Sequence, residues 1–227
     1  MADDPAVVRP PADGLWRVAR GDNPLSISVG SPGAVSERAN RFDPLTMAYG
    51  VLYFGSGLEV CFGETLARFR PSLDVLALVG DEWRELGFMA VGSVAADWRQ
   101  RRTAVHVKLP SALSFVDVES PVTHQFLRRE LALGLSAIGL TDLDVSTIRG
   151  PDRRVTQMIS EWAYMATDGD RPRYAGIRYE SRIRSGWECW ALFDDEELDI
   201  DVVETVPITL DMPELLDVAA LFGLQVF

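Results

Sequence analysis

Lysine, histidine and cysteine are scarce in this chain of 227 residues. Lys108 is the only lysine, and the chain has two histidines and two cysteines. His106 and His124 have no Cys or His neighbour at the spacing of a metal site, so the sequence does not indicate a bound metal. Cys61 and Cys189 lie far apart in patterns typical of buried positions. We therefore expect two reduced core residues rather than a disulfide.

Long hydrophobic runs are also missing. The longest apolar stretches, such as residues 131–140, contain glycines and are shorter than the about 20 residues that a membrane-spanning helix needs. The first residues, MADDP, are acidic and include a proline, unlike the apolar core of a signal peptide. We expect a cytoplasmic protein without a membrane contact.

Positive charge is scarce relative to negative charge. The chain has 22 Lys and Arg residues against 34 Asp and Glu residues, which gives a net charge of −12. Such a charge repels phosphate backbones, so we expect no direct nucleic-acid partner unless basic residues concentrate on one face. The one basic cluster in the sequence, Arg99 with Arg101 and Arg102, is typical of a solvated loop or strand edge.

The motifs of several common enzyme classes are absent. Residues 55–57 form a Gly-Ser-Gly turn, but position 60 is Val, so the third glycine of a dinucleotide-binding fingerprint is missing. The sequence contains no Walker loop and no Gly-x-Ser-x-Gly elbow. Residues 168–170, Asp-Gly-Asp, lack the spaced ligands of a calcium loop and are typical of a plain turn.

The most informative segment that is present is residues 41–68, RFDPLTMAYGVLYFGSGLEVCFGETLAR. Its pattern predicts a short buried strand at residues 51–54 and a helix at residues 58–69. On a helical wheel the apolar residues of this helix share one face, and Glu64 lies away from it. Glu64 must therefore face solvent, a partner or a cleft. Its simplest role is a surface ion pair with Arg68 one turn later.

Strands and helices alternate loosely along the rest of the chain. Ser120 followed by proline predicts a helix over residues 121–140, and Asp152 can cap another over residues 153–167. Residues 202–227 predict one more strand and a short terminal helix. We predict further strands at residues 73–79, 104–109, 115–118, 174–179 and 187–193.

Length and composition indicate one domain. A chain of this length with 47% hydrophobic residues can bury a substantial core. Residues 1–13 are acidic and rich in proline, and we predict a disordered lead-in there. Nothing in the remaining sequence marks a domain boundary or a repeat, so residues 14–227 are predicted to form a single domain.

Three motifs, taken in order, resemble the RES domain family. In the segment at residues 41–68, an arginine before an Asp-Pro turn leads into a Leu-Tyr strand, a small-residue turn and a helix that ends in Glu-x-x-Ala-Arg. The other two motifs are LWRV at residues 15–18 and GIRYESR at residues 176–182, and the resemblance spans most of residues 15–193. Two details depart from the family pattern. The usual pair of glycines before the arginine is Ala-Asn here, and the usual Tyr-Pro-Ser is Tyr-Glu-Ser at residues 179–181.

This resemblance implies a fold, an activity and a partner. RES domains resemble ADP-ribosyltransferases, which have an α+β fold with mixed, mainly antiparallel sheets and flanking helices around a central NAD-binding cleft. Characterised members are toxins of bacterial toxin–antitoxin pairs that consume NAD. Their partner is typically an Xre-type DNA-binding antitoxin that blocks the cleft. NAD would then be the substrate of this chain, and no resident cofactor is implied.

The resemblance also implies roles for five residues. Cleavage of the nicotinamide–ribose bond passes through an oxocarbenium-like state, which needs an anion near the ribose and cations on the diphosphate. Glu64 would supply the anion, and Tyr53 would offer its ring or hydroxyl beside the nicotinamide. Arg17 and Arg41 would clamp the phosphates, and Ser181 would donate a hydrogen bond to nicotinamide or ribose. Of these, Glu64, Arg41 and Tyr53 form the expected catalytic set.

The sequence leaves three functions from different classes open. The first is an NAD glycohydrolase or phosphorolase that acts as a toxin. The second is a protein ADP-ribosyltransferase that uses the same cleft. The third is a RES-like fold that serves as a non-catalytic binding module, which the altered glycine motif favours. The sequence identifies neither the acceptor, which could be water, phosphate or a side chain, nor the oligomeric state, so a homodimer also stays open.

Overall fold

The structure is a computed structural model, and it describes residues 4–21, 23–27, 40–46, 48–78, 91–194 and 198–227. In chain order, the strands are β1 (Val7–Val8), β2 (Leu15–Arg20), β3 (Val51–Gly55), β4 (Ser93–Val94), β5 (Arg102–Lys108), β6 (Phe115–Asp117), β7 (Thr167–Asp168), β8 (Arg171–Pro172), β9 (Gly176–Glu180), β10 (Glu188–Phe193), β11 (Asp201–Pro207) and β12 (Gln225–Val226). The helices are α1 (Leu58–Leu66), α2 (Leu73–Leu78), α3 (Ala96–Gln100), α4 (Pro121–Glu130), α5 (Ala132–Ala137), α6 (Val145–Arg149), α7 (Arg153–Met165) and α8 (Pro213–Phe222), and a 3₁₀ turn, Ala67–Phe69, extends α1.

Eight of these strands form one mixed sheet in the order β1-β6-β9-β10-β3-β2-β5-β11. Neighbouring strands are antiparallel except for the parallel pair β6 and β9. This arrangement confirms the predicted α+β class with a mainly antiparallel sheet and flanking helices. No helix within the described ranges is long and apolar enough to cross a bilayer, and no group of metal-ligating side chains is found within the same ranges.

A hydrophobic core lies on each face of the sheet. On β3, Val51 and Tyr53 pack into the larger core, which also contains side chains of helices α1 and α3 to α8. Leu52 and Phe54 point to the other face and pack into a smaller core built from strands and loops. This alternation follows from the two-residue period of a strand. We call the side that carries Tyr53 the helical face.

Two of the predicted helix starts are confirmed by their caps. The Ser120 hydroxyl accepts from the Val122 amide at 3.3 Å, and Asp152 accepts from the Arg154 amide at 3.0 Å. The helix predicted over residues 121–140 is instead two helices. They are separated at Leu131, where φ −102° and ψ 11° leave the helical region.

The prediction of a strand at residues 73–79 is wrong, because residues 73–78 form helix α2. The Ser72 hydroxyl accepts from the Val75 amide at 3.3 Å, and the Ser72 carbonyl accepts from the Leu76 amide at 3.0 Å. Periodicity does not separate a strand from a helix in so short an apolar run. The serine that precedes the run supplied the overlooked helix signal.

Part of the predicted lead-in is also ordered. Val7 pairs with Val116 and Val8 with Phe115, so β1 forms an edge of the main sheet. The Ala6 amide donates to the Thr123 hydroxyl at 3.1 Å. The prediction of disorder is therefore corrected for residues 4–13, while residues 1–3 lie outside the described ranges. A two-residue strand is too short to give a periodic signal in the sequence.

Candidate active site

The segment before β3 fixes the backbone of Arg41. The Arg41 carbonyl accepts from the Thr156 hydroxyl at 2.5 Å, and the Phe42 carbonyl accepts from the Ser160 hydroxyl at 2.6 Å. The Phe42 amide donates to the Tyr53 hydroxyl at 3.0 Å. Thr156 and Ser160 lie one turn apart on the same side of α7. This helix and strand β3 together hold the arginine in position.

Tyr53 uses its hydroxyl to support the same segment. It donates to Asp43 Oδ1 at 2.8 Å while it accepts from the Phe42 amide. Asp43 Oδ2 accepts from the Asn40 amide at 2.6 Å. Burial raises the pKa of Tyr53 well above its usual range, and the nearby Asp43 charge raises it further. Since the hydroxyl is engaged inside the protein, the predicted contact of Tyr53 with nicotinamide would have to come from its half-buried ring.

The Arg41 guanidinium lies at the C-terminal end of α6. Its Nη1 donates to the carbonyl of Ile148 at 2.5 Å and to that of Gly150 at 3.3 Å, and its Nη2 donates to the carbonyl of Arg149 at 3.5 Å. The last carbonyls of a helix carry a partial negative charge that favours a cation. Burial lowers the pKa of Arg41, and the nearby Glu64 carboxylate counteracts this effect. The two predicted site residues are therefore within electrostatic range of each other.

Glu64 and Ser181 form the polar centre of the site. The Ser181 hydroxyl donates to Glu64 Oε1 at 2.5 Å and accepts from the Ile183 amide at 3.0 Å. Ser181 is only 1% exposed, whereas Glu64 is exposed. A buried hydroxyl thus orients a carboxylate that is open to solvent. The simplest interpretation of the sequence predicted an ion pair between Glu64 and Arg68. In the structure the Glu64 carboxylate instead accepts a hydrogen bond from Ser181.

A glycine allows helix α1 to carry Glu64 close to the sheet. A Cβ atom on Gly63 would lie 2.0 Å from Cζ3 of Trp187, far inside van der Waals contact. Trp187 is 4% exposed and belongs to the larger core. Only a residue without a side chain lets α1 pack against Trp187 at this depth. This close packing accompanies the position of Glu64 within hydrogen-bond distance of Ser181.

Two further residues of the motif at residues 176–182 lie near this site. Tyr179 is 7% exposed, and its ring centroid lies 4.8 Å from that of Phe42. Tyr179 and Arg182 are both close enough to Arg41 to influence its pKa. Neither residue was among the candidates from the sequence. The available signal was strand alternation, which puts Tyr179 on the same side as Ser181.

Arg17 is placed differently from the other four predicted residues. It follows the position at which Trp16 of β2 pairs with Gly55 of β3. Its Nε donates to the carbonyl of Pro24 at 2.8 Å, and its Nη1 donates to the carbonyl of Tyr53 at 3.1 Å. Burial lowers its pKa. Charge links Arg41 with Glu64, and a hydrogen bond links Glu64 with Ser181. Tyr53 is joined to this group through the Phe42 backbone, and Arg17 is joined to Tyr53.

The departure from the family pattern at Glu180 belongs to an ion network. Arg149 Nη2 lies 2.6 Å from Glu119 Oε2 and 2.7 Å from Glu180 Oε2. Glu180 Oε2 also accepts from the Gly186 amide at 3.1 Å, and this bond together with the Arg149 charge lowers the pKa of Glu180. Arg149 is the last residue of α6, the helix whose carbonyls bind Arg41. The network therefore supports the end of the helix on which Arg41 rests.

Comparisons with known proteins agree with this architecture. The chain is similar in fold to a chain of the crystal structure of the M. tuberculosis MbcT-MbcA toxin-antitoxin complex, with a TM-score of 0.53 and 11% sequence identity. The match covers 95% of this chain and 89% of that chain. No curated protein matches the chain significantly. The family model of the RES domain matches residues 14–211, which is most of the chain. This chain belongs to the RES domain family.

Proposed function

We propose that this chain is an enzyme that cleaves the nicotinamide–ribose bond of NAD and acts as the toxin of a toxin–antitoxin pair. The observation that carries the proposal is the hydrogen bond from buried Ser181 to exposed Glu64, beside the charge of Arg41. Membership in the RES domain family supports it. The similarity in fold to a chain of a toxin-antitoxin complex supports the second part.

The chemistry of this bond explains why an oriented carboxylate is useful. When the bond breaks, its electron pair leaves with nicotinamide and neutralises the cationic ring, while positive charge develops on the ribose. A fixed anion beside the anomeric carbon stabilises that charge in the transition state. Glu64 would supply this anion and would also accept a hydrogen bond from a ribose hydroxyl. Ser181 would hold the carboxylate in place, so that little reorganisation is needed during the reaction.

Arg41 and Tyr53 would bind the substrate around this centre. Arg41 keeps its charge and has guanidinium donors beyond those bound to the α6 carbonyls, which suits a phosphate oxygen. The ring of Tyr53 would offer a surface to nicotinamide. Arg17 stays a proposed second phosphate contact on the basis of the family motif, because its recorded contacts are with backbone carbonyls.

A partner protein would control such an enzyme, since unrestrained loss of NAD would harm the cell that makes it. We propose that this partner is an antitoxin that covers the cleft between Arg41 and Glu64. It should present a carboxylate to Arg41, because a blocker must satisfy the cation that a phosphate would otherwise neutralise. Expression of the chain alone should arrest growth and lower cellular NAD. Co-expression of the partner should restore both.

Incubation of the purified chain with NAD, with and without phosphate, tests the activity directly. Release of free nicotinamide together with ADP-ribose would identify a glycohydrolase, and dependence on phosphate would identify a phosphorolase. Nicotinamide release with label transferred to protein would favour an ADP-ribosyltransferase. No release of nicotinamide by folded protein would contradict an NAD-cleaving enzyme and favour the binding module.

A further inference from the structure

Four arginines from separate parts of the sequence line one concavity of about 220 Å³. Arg20 ends strand β2, and Arg68 lies in the 3₁₀ turn after α1. Arg101 follows the last residue of α3, and Arg102 begins β5. Among the described residues that line it, Asp97 is the one carboxylate. The sequence suggested only a local group around Arg101. The fold brings Arg20 and Arg68 to this group, so positive charge concentrates here in a chain whose net charge is −12.

The charges in this arginine pocket are poorly balanced. Arg20 lies directly opposite Arg102 in the register of β2 and β5, and like charges at such positions destabilise a sheet. Burial lowers the pKa of Arg102 to about 10, and repulsion from Arg20 and Arg68 contributes to the shift. The ion pair between Arg101 and Asp97 is 3.5 Å long, with side chains 74% and 57% exposed. Such an exposed pair neutralises little of this charge.

Trp98 gives the arginine pocket a rigid wall. Arg102 lies over its ring at 4.9 Å and donates to its carbonyl at 2.7 Å. Trp98 is 4% exposed and packs edge-on against Phe69. Arg102 is therefore held in place by contacts within the protein. Arg20 and Arg68 are exposed, and no ion pair recorded among the described residues involves either of them.

We propose that the arginine pocket binds a phosphate or diphosphate group beside Glu64. Arginines that converge on one concavity match the oxygens of phosphate through paired hydrogen bonds. Arg68 follows Glu64 by four residues and lies in the 3₁₀ turn that extends α1, so its backbone is about one helical turn further along the chain. The cavity of about 220 Å³ is smaller than the roughly 300–1,000 Å³ of pockets that enclose a whole ligand. It suits an anionic group rather than a complete nucleotide.

The bound group could belong to a dinucleotide substrate at Glu64 or be a free phosphate ion. A link between the arginine pocket and NAD turnover rests on the proposed function. The binding of the anion itself does not, because it follows from the charges and the shape of the pocket. Direct binding and NAD turnover are therefore measured separately.

The test is calorimetric titration of the full chain with inorganic phosphate and with pyrophosphate at constant ionic strength. Arg20→Gln and Arg68→Gln should each weaken binding about tenfold or more, the loss expected for one charge-assisted contact. Arg70→Gln is the matched control, because Arg70 lies over Phe222 at 5.1 Å and does not line the pocket. Its affinity should equal that of wild type. Competition of pyrophosphate with NAD that is weakened in Arg68→Gln would assign the arginine pocket to the substrate, and phosphate binding that persists with NAD would assign it to a free ion.

A second readout protects the test against variants that simply fold less well. Arg20→Gln removes the repulsion with Arg102, so its melting temperature without phosphate should equal or exceed that of wild type. Added phosphate should then stabilise wild type more than either pocket variant. Equal affinity in wild type, Arg20→Gln and Arg68→Gln, or no anion binding by wild type, would overturn the proposal. Anion binding that depends on Arg20 and Arg68 without any NAD turnover would support the pocket and contradict the proposed enzyme.

Discussion

The Ser181 hydroxyl donates to Glu64 Oε1 at 2.5 Å, across a sequence separation of 117 residues. This bond joins the motif at residues 41–68 to the motif at residues 176–182. Its donor is buried and its acceptor is exposed. The carboxylate is therefore held by the fold while it remains accessible to a substrate. This combination is expected of a group that acts on a bound ligand, and it has consequences for several variants.

Removal of the Ser181 hydroxyl should weaken catalysis more than binding. We expect Ser181→Ala to lower kcat for nicotinamide release about tenfold, because Glu64 keeps its charge but loses its orientation. The Ile183 amide also loses its acceptor, so unfolding in urea should show a loss of about 1–3 kcal/mol. Ser185→Ala is a suitable control, since the Ser185 hydroxyl contacts Arg149 at 3.4 Å on the exposed surface. An unchanged kcat with reduced stability would limit Ser181 to a structural role.

Arg41 should act mainly on substrate binding. A phosphate contact is made in the ground state and in the transition state, so its loss appears chiefly in KM. Arg41→Lys keeps the charge but loses the guanidinium geometry, and we expect KM for NAD to rise about tenfold. Arg154→Lys is the control, because Arg154 pairs with Asp152 in an exposed ion pair at 2.6 Å. Its KM should not change.

The same measurement on Arg17→Ala, together with its melting temperature, tests two roles of that residue. The family motif predicts a higher KM. The contacts with the Pro24 and Tyr53 carbonyls predict a lower melting temperature, because two backbone acceptors lose their donor. We expect both effects. A KM equal to that of wild type, measured where the variant is folded, would remove Arg17 from the site, and an unaltered KM in Arg41→Lys as well would refute the phosphate clamp.

Gly63 should tolerate no side chain. In Gly63→Ala the new Cβ would meet the ring of Trp187 at 2.0 Å, so α1 or the tryptophan must move. We expect a loss of about 1–3 kcal/mol in the free energy of unfolding and a displaced Glu64 with lower turnover. The control is Gly57→Ala, because a Cβ at Gly57 would meet nothing within 4 Å. Equal stability of the two variants would contradict the packing described for α1.

The ion network at Glu180 predicts a dependence of stability on pH. The Gly186 amide and the Arg149 charge depress the pKa of Glu180 below its ordinary value of 4.5. A group of this kind stabilises the fold above its ordinary pKa and loses that contribution as the pH falls through the lower pKa of the folded state. The difference in melting temperature between wild type and Glu180→Gln should therefore be constant near neutral pH and shrink below pH 4.5. A difference that grows on acidification would contradict this assignment.

The features predicted correctly from the sequence are those with local causes. The caps at Ser120 and Asp152 each depend on one side chain and the next turn of backbone. The strand and helix around the Gly-Ser-Gly turn depend on contiguous apolar patterns. Short elements were missed. Strand β1 has two residues, and α2 has six apolar-rich residues that fit either type of structure.

The part of the site that could not be predicted depends on tertiary packing. The motif order suggested that Glu64 and Ser181 belong to one site, but no pattern showed that the two side chains bond to each other. The hydroxyl of Tyr53 is used by Asp43, and only the folded loop shows this. The pairing of Arg20 with Arg102 is set by strand register, which a short sequence motif does not encode.

The most direct test of the account is the rate of nicotinamide release from NAD by Glu64→Gln. The substitution keeps the size of the side chain but removes its charge, so turnover should fall about a hundredfold or more. Since Glu64 is exposed, the melting temperature should stay close to that of wild type. Glu59→Gln on the same helix, where Glu59 pairs with Arg184 at 2.6 Å, should keep wild-type turnover. A folded Glu64→Gln protein that releases nicotinamide at the wild-type rate would contradict the assignment of Glu64 as the catalytic carboxylate.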